Sequence, residues 1–394
     1  MNATTNTHEI AVLGAGYTGM MAAVRLARRT RKLNVRITLV NPSERFTERL
    51  RMHQVAAGQE LADHRIPDLL AGSGVVFHRA AAIALDAAAR VVTLDDGGAL
   101  HYDTLIYALG SHTDTTAVPG ADDHAWTLDD PRRARRFSQR LTEIAAAAGT
   151  VTVVGGGLTG IEAATEIAEA HPGLTVTLIG AAEPGNMMGD KARAHLERAL
   201  DRLRIVRRTG AQVAKVLPDA VRLTTGELIA SDLTLWTAGV TVSPLAGQVG
   251  IAVDERGRII TDTTLRSVSH PEILPIGDAA AIRMPFGVLH GTCQSGIPTA
   301  AYTADALARR LRGKTVRAFR FGYFHQPVSL GRKDAVIQFT NADDTPRRWY
   351  LKGRAAVAYK EMVSASPVPT YKLSKHVTMQ AQLSNGGRAT RALA

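Results

Sequence analysis

The chain of 394 residues has one cysteine, Cys293. That excludes an internal disulfide, a redox dithiol and a cluster of thiolate metal ligands, and it fits a reducing compartment. Aromatic residues are scarce at 5%. They are not interleaved with the basic clusters, such as Arg28, Arg29, Arg31 and Lys32 or Arg132, Arg133, Arg135 and Arg136. No recognition-helix or zinc-finger spacing appears either, so nucleic acid is not favoured as a partner. No window reaches the ~18 uninterrupted apolar residues that a membrane-spanning helix needs. Met1 to Glu9 lacks the basic-plus-apolar pattern of a secretory leader. A cytoplasmic location is expected, with at most peripheral contact at the inner face of the membrane. Acidic residues are also in short supply, 36 against 47 Lys and Arg, which leaves a net charge of +11. That balance favours anionic partners: phosphorylated cofactors, acidic head groups or an acidic protein.

Glycine, by contrast, is placed with purpose. Gly14-Ala15-Gly16-Tyr17-Thr18-Gly19 and Gly155-Gly156-Gly157-Leu158-Thr159-Gly160 stand 141 residues apart. Each follows a short apolar run, Ile10 to Leu13 and Val151 to Val154, and each opens an Ala-rich helical pattern. Apolar strands at Val35 to Val40 and up to Ile179 complete two βαβ units. In such a unit the first glycine permits the tight turn, the second lets a pyrophosphate approach the backbone, and the third lets the helix pack on the sheet. The helix N-terminus then offers free N–H groups and partial positive charge to phosphate. Two such units imply two dinucleotide sites, and the natural pair is a held FAD and a passing NAD(P)H.

An acid usually ends the second strand and bonds the ribose. Here Asn41 stands there in the first unit, either as a ribose partner or as a turn residue before Pro42. Gly180 stands there in the second, which leaves NADH and NADPH undistinguished. In the loop after Asn41, Arg49 or Arg51 either pairs with the pyrophosphate or lies solvated on the surface.

The segment Asp103 to Gly110, ending in Ala108-Leu109-Gly110, is repeated in form by Asp232 to Gly239. Each follows a hairpin, with turns at Asp95 to Gly98 and Thr225 to Glu227. The chain is therefore read as an internal duplication of βαβ, hairpin and closing strand. Ile273 to Ala280 places Gly277-Asp278 at a strand end, where an acid reaches a polyol hydroxyl. His290 to Gly296 precedes a helix expected from about Ile297 to Arg312. Aimed at a flavin, that helix stabilises negative charge. Cys293 is either a thiol at that site or a small buried hydrophobe.

The order GAGYTG, LIYALG, GGGLTGIEAATE, LTLWTAG and ILPIGDAA resembles the two-dinucleotide-domain flavoproteins of the pyridine nucleotide-disulfide oxidoreductase superfamily, over about residues 8–312. Within it the chain is most similar to type II NADH dehydrogenases and apoptosis-inducing-factor-like quinone reductases. The resemblance places Glu162 near nicotinamide and flavin, and Asp278 on the FAD ribitol. It places Cys293-Gln294 at the flavin and quinone, where the relatives carry Ala-Gln; their second glutamine corresponds to Pro298. The paired cysteines of the disulfide reductases and of sulfide:quinone reductases are absent.

An α/β fold is expected, with two Rossmann-like dinucleotide-binding domains and a small α+β C-terminal domain. The division is a split FAD domain at 1–115 and 262–315, an NAD(P) domain at 116–261, and a C-terminal domain at 316–394. Trp349 to Met362 is read as a strand and a solvated or dimer-forming helix, and the last dozen residues as disordered. Catalytic roles fall to Glu162 and Gln294. Cofactor contacts fall to Gly14, Gly16, Gly19, Asn41, Arg51, Ala108, Gly110, Gly277, Asp278 and Cys293, and to Gly155, Gly157, Gly160 and Gly239. No metal site is expected. The function so read is hydride transfer from NAD(P)H to FAD and on to a quinone-like acceptor. The alternatives are a reductase of a protein such as ferredoxin and a non-catalytic FAD/NAD sensor. A homodimer is compatible with either enzyme.

Overall fold

The structure, a computed structural model, describes residues 7–378 and 390–393. Strand β1 (His8–Leu13), helix α1 (Tyr17–Thr30) and strand β2 (Val35–Val40) form the first βαβ unit. The parallel five-stranded sheet runs Ile273–Pro275, Thr104–Tyr107, β1, β2, Val76–His78. Its central strands are apolar on both faces, as a sheet covered on both sides requires. Helix α1 turns Met20, Val24 and Leu26 into the core, each fully buried.

A short helix α2 (Met52–Ala56) follows. Strand β3 (Thr150–Val154), helix α3 (Leu158–Ala170) and strand β4 (Thr175–Gly180) then repeat the unit. The second parallel sheet runs Val206–Thr209, β4, β3, Leu233–Trp236, Ala125–Trp126. Both copies carry an antiparallel three-stranded hairpin sheet before the closing strand, at 82–101 and 213–230. The chain is an α/β protein with two Rossmann-like halves. Where it passes between them, Ser111–Thr113 pairs antiparallel with Val240–Val242, and the Trp236 indole donates to the Asp114 carbonyl at 2.8 Å.

Helix α4 (Cys293–Arg310) lies along α1. It starts four residues before the sequence-based estimate. Thr292 caps it by accepting the Ser295 N–H, while the Ser295 hydroxyl returns to the Thr292 N–H, a reciprocal capping box. Arg25 of α1 grips Asp305 of α4 through Nε at 3.0 Å and Nη2 at 2.7 Å.

The C-terminal part is an antiparallel sheet of His325–Ser329, Ala335–Thr340 and Pro346–Lys352, followed by helix α5 (Gly353–Ala365) and a last helix, Pro367–Ser374. Val328, Leu330 and Val336 share one core with α3 and with Met52, Val55 and Ala56 of α2. Helix α5 lays Ala356, Lys360 and Ser364 against the protein as a buried face and leaves Arg354, Ala358 and Met362 exposed. One expectation is corrected here. The end of the chain is not wholly disordered: Phe321 N–H bonds the Thr390 carbonyl at 2.7 Å, and Ala392 N–H bonds the Phe319 carbonyl at 3.0 Å. The rest of that tail, 383–389 and 394, lies outside the described residues. Among the described residues, no helix is long and apolar enough to cross a membrane.

Candidate functional site

The two glycine turns are built alike. Gly14 N–H bonds the Val40 carbonyl and Gly155 N–H bonds the Ile179 carbonyl, both at 2.8 Å. Ala108 and Thr237 close the turns through N–H bonds to Leu13 and Val154, at 2.9 and 2.8 Å. A Cβ on Gly19 would fall 1.7 Å from the Gly14 carbonyl oxygen, and one on Gly160 1.8 Å from that of Gly155. A Cβ on Gly14 would fall 2.4 Å from the Ala108 carbonyl oxygen. These glycines are demanded by packing. Gly16 and Gly157 are not: a Cβ at either would meet nothing within 4 Å. Each is the N-cap of its helix, and neither helix receives a side-chain cap there. Uncapped N–H groups beside open space form a cradle for an anion. The residues present therefore fit two dinucleotide diphosphates.

The remaining predicted residues are distributed around these turns. Asn41 accepts the Ala15 N–H at 3.0 Å and donates to the Ser43 carbonyl at 2.7 Å, so its side chain braces the first turn. At the matching place in the second unit Gly180 packs against Gly156, and the brace comes instead from the Thr237 hydroxyl, which donates to the Val154 carbonyl at 2.9 Å. Gly110 and Gly239 both adopt positive φ, +65° and +74°, directly after the closing strands. Gly277 donates its N–H to Thr299 Oγ1 at 3.0 Å, and Asp278 accepts the Ser111 hydroxyl at 2.6 Å. Cys293 opens α4 half-buried, and desolvation pushes its thiol up to about 12, past the opposing charge of Lys360. A thiol so shifted is a poor nucleophile. Gln294 is anchored to main chain, its oxygen accepting from the Phe324 and His325 N–H groups and one of its two N–H groups donating to the His325 carbonyl at 2.9 Å. Arg49 hydrogen-bonds the Ser111 carbonyl and pairs with Asp129. Arg51 pairs with Glu361 at 3.2 Å and Gln54 at 3.1 Å, toward the C-terminal part of the chain.

A buried polar cluster surrounds Glu162. Lys360 of α5 donates to Glu162 Oε1 at 2.8 Å, and the Ser329 N–H donates to the same oxygen at 3.1 Å. His53 of α2 lies between two carboxylates of α3, with Nδ1 3.7 Å from Glu162 Oε2 and Nε2 3.5 Å from Glu166 Oε1. Arg332 spans Glu166 at 3.5 Å and Glu361 at 2.7 Å. Three carboxylates, Glu162, Glu166 and Glu361, thus face three cations, Lys360, Arg332 and Arg51. Desolvation pushes the Glu162 carboxyl up, but Lys360 and His53 outweigh it and hold the group below its ordinary value. Desolvation also drives His325 down to about 4, with the Lys360 charge adding to the fall; its Nδ1 meets the Tyr359 hydroxyl at 2.7 Å.

The resemblance singled out Glu162, and Glu166 stands four residues on in the same GGGLTGIEAATE segment. Sequence reasoning missed His53, Lys360 and Ser111. Four-residue spacing was a usable signal for the two acids. No local pattern marks a lysine 198 residues away from Glu162 as its partner.

Residues 8–306 match the pyridine nucleotide-disulphide oxidoreductase family, and the chain belongs to it. It is an oxidoreductase with FAD as cofactor and NAD(P)H as co-substrate. An NADH dehydrogenase-like protein of Mycobacterium tuberculosis is 33% identical, covering 83% of this chain and 86% of its own. Demethylphylloquinone reductase of Synechocystis is 26% identical, covering 92% of this chain and 93% of its own. Among solved structures, sulfide:quinone oxidoreductase of Aquifex aeolicus superimposes with a TM-score of 0.80 at 18% identity, covering 93% and 92% of the two chains. NDH2 of Plasmodium falciparum in complex with NADH gives 0.77 at 14%, covering 95% and 100%. At these identities the two structures show the shared fold.

Proposed function

We propose that this protein is an NAD(P)H:quinone oxidoreductase. The observation that carries the reading is the pair of open, uncapped glycine cradles with the ionised Glu162 on the helix that the second one begins. In this reading residues 1–115 and 262–315 hold FAD, together with 243–261, whose Ala246, Ile251 and Ile259 share a core with Leu13 and Leu105; 116–242 hold NAD(P)H, and 316–394 form the C-terminal domain. Gly14, Gly16 and Gly19 seat the flavin nucleotide's diphosphate, and Asn41 fixes the shape of that turn. Ala108, Gly110, Gly277 and Asp278 line the same nucleotide, with Asp278 oriented by Ser111 toward a polyol hydroxyl. Gly155, Gly157, Gly160 and Gly239 seat the nicotinamide nucleotide. When bound, FAD supplies a two-electron acceptor for the nicotinamide hydride and a donor for the quinone.

The chain's own part is alignment and charge. Backbone N–H groups fix both diphosphates, and alignment of that kind lowers the barrier by removing translational freedom in advance. Lys360 keeps a negative charge on buried Glu162, and Oε2, the oxygen that Lys360 and Ser329 leave free and that faces His53 Nδ1 at 3.7 Å, is the one suited to proton exchange. Gln294 is a positioning residue that holds the 324–325 main chain beside Cys293. Arg51 acts through Glu361, tying the first unit to α5. The demethylphylloquinone reductase among the relatives supports a quinone as acceptor. Exposed Trp349 (77%) and Met362 (62%) support contact of the C-terminal part with a membrane surface or with a second copy of the chain.

Steady-state NAD(P)H oxidation by the purified yellow protein tests the reading. Turnover with a soluble quinone is expected. Flavin bleaching by NAD(P)H with no quinone turnover, but with turnover on ferredoxin, would replace quinone with a protein acceptor. No turnover with any acceptor, despite bound FAD, would leave a sensor.

A further inference from the structure

Helices α1 and α4 both start beside the first dinucleotide turn and both end at one cleft on the far side of the molecule. Fourteen residues of α1 separate that cleft from Gly16, about 21 Å at helical rise. The cleft has a volume of about 580 Å³, within the roughly 300–1,000 Å³ typical of small-molecule sites. The end of α1 gives it Arg28, Arg29, Arg31 and Lys32. The end of α4 and the turn after it give Arg309, Arg312 and Lys314. Asp305 is the one carboxylate in the lining, and it is already held by Arg25 and Arg29.

Basic residues at helix C-termini have an ordinary explanation, since each helix end carries roughly half a negative charge. Two helix ends account for roughly one of seven cations. Among the described residues, Arg29 is the only one of the seven in an ion pair. The segments outside the described residues, 1–6, 379–389 and 394, contain no acidic side chain. Several of the guanidiniums are also held in place by main chain. Arg28 Nε donates to the His376 carbonyl at 3.0 Å, Arg309 Nε to the Thr315 carbonyl at 2.9 Å, and Arg312 Nη1 to the Ala308 carbonyl at 2.7 Å. Each of these arginines keeps further N–H groups, so the cluster is oriented and uncompensated. Exposed Arg31, Lys32 and Lys314 complete its rim.

We propose that the cleft between the C-terminal ends of α1 and α4 is a binding site for a soluble polyphosphate anion, of the kind carried by a nucleoside triphosphate. A concave cleft with fixed forks suits a compact ligand with several phosphates, because guanidinium groups match phosphate oxygens in pairs. A flat anionic lipid surface uses the concavity poorly.

The test is calorimetric titration of the FAD-loaded full-length protein with sodium tripolyphosphate, with orthophosphate and NaCl of matched ionic strength as controls. Saturable binding is expected, at least about tenfold tighter than orthophosphate and weakening as salt rises. The triple variant Arg31→Glu/Lys32→Glu/Lys314→Glu should keep its yellow colour and its quinone turnover while losing about tenfold or more in tripolyphosphate affinity. Absence of saturable binding, or equal affinity in the variant, overturns the proposal. So does loss in the variant of binding to phosphatidylglycerol vesicles alone, with tripolyphosphate inert on both proteins; that result assigns the cluster to a membrane surface.

Discussion

Met21 and Glu162 occupy the same place in two copies of one helix, 141 residues apart, and so do Arg25 and Glu166. In the first copy Met21 is buried among apolar neighbours, and Arg25 is tied to Asp305 of α4. In the second, both positions are carboxylates, and the elements that cover them bring His53, Lys360 and Arg332. The turns ahead of these helices differ too. The first is braced by the Asn41 amide from the end of its second strand, and the second by the Thr237 hydroxyl from beyond its closing strand. In the proposed reading the first copy is the seat of the held FAD and the second that of NAD(P)H, which comes and goes. The shared backbone supplies the cradle in both, and only what is packed on α3 adds a buried cluster of titratable groups.

The widest separation between the two copies is expected from one substitution made twice. Gly16→Val and Gly157→Val both point into open space, so neither should disturb folding. Gly16→Val should yield colourless protein. Gly157→Val should stay yellow, with flavin reduction by NAD(P)H slowed about 100-fold or more in stopped-flow bleaching, a barrier increase of about 2.7 kcal/mol. If the two variants behave alike, the asymmetry is wrong.

Lys360→Met makes the second copy resemble the first. It strands a buried carboxylate and should cost about 3–5 kcal/mol in denaturant unfolding at neutral pH. In the native protein the depressed Glu162 stabilises the fold above the ordinary carboxylate range, and this is lost as pH falls through the lowered value. Without Lys360, desolvation wins and the sign reverses. The variant should gain stability relative to the native protein as pH falls through the carboxylate range, and parallel pH profiles would count against the pairing.

Asn41→Ala should have the smallest effect. It removes the acceptor for one N–H and should weaken FAD by about 1 kcal/mol, roughly fivefold, without altering the rate of flavin reduction in loaded protein. Fluorimetric titration of FAD into the apoprotein measures the first, and stopped-flow measures the second.

The duplicated units were legible because their signals are local: a strand, three glycines and a helix within about thirty residues. The hairpins before each closing strand were legible from Asp96-Gly97 and Thr225-Gly226 for the same reason. The surroundings of Glu162 were not. Lysine in a helix reads as a solvated face, since it is seldom buried unpaired, and nothing near Lys360 names Glu162 as its partner. Gln294 is a subtler case. Its place in a motif suggested a group facing a substrate, and no local signal showed that its oxygen and one N–H are anchored to main chain thirty residues on. The early start of α4 follows from Thr292 and Ser295, a short cap easily read as loop.

The lacing of Ser111–Thr113 to Val240–Val242 has a consequence for how such an enzyme can change. The outward and homeward crossings of the polypeptide are stitched side by side, so one half cannot slide along the other without tearing that seam. What movement is left is rotation about a single paired strip, and the register of its three pairs sets how the halves line up, whatever changes elsewhere on the surface.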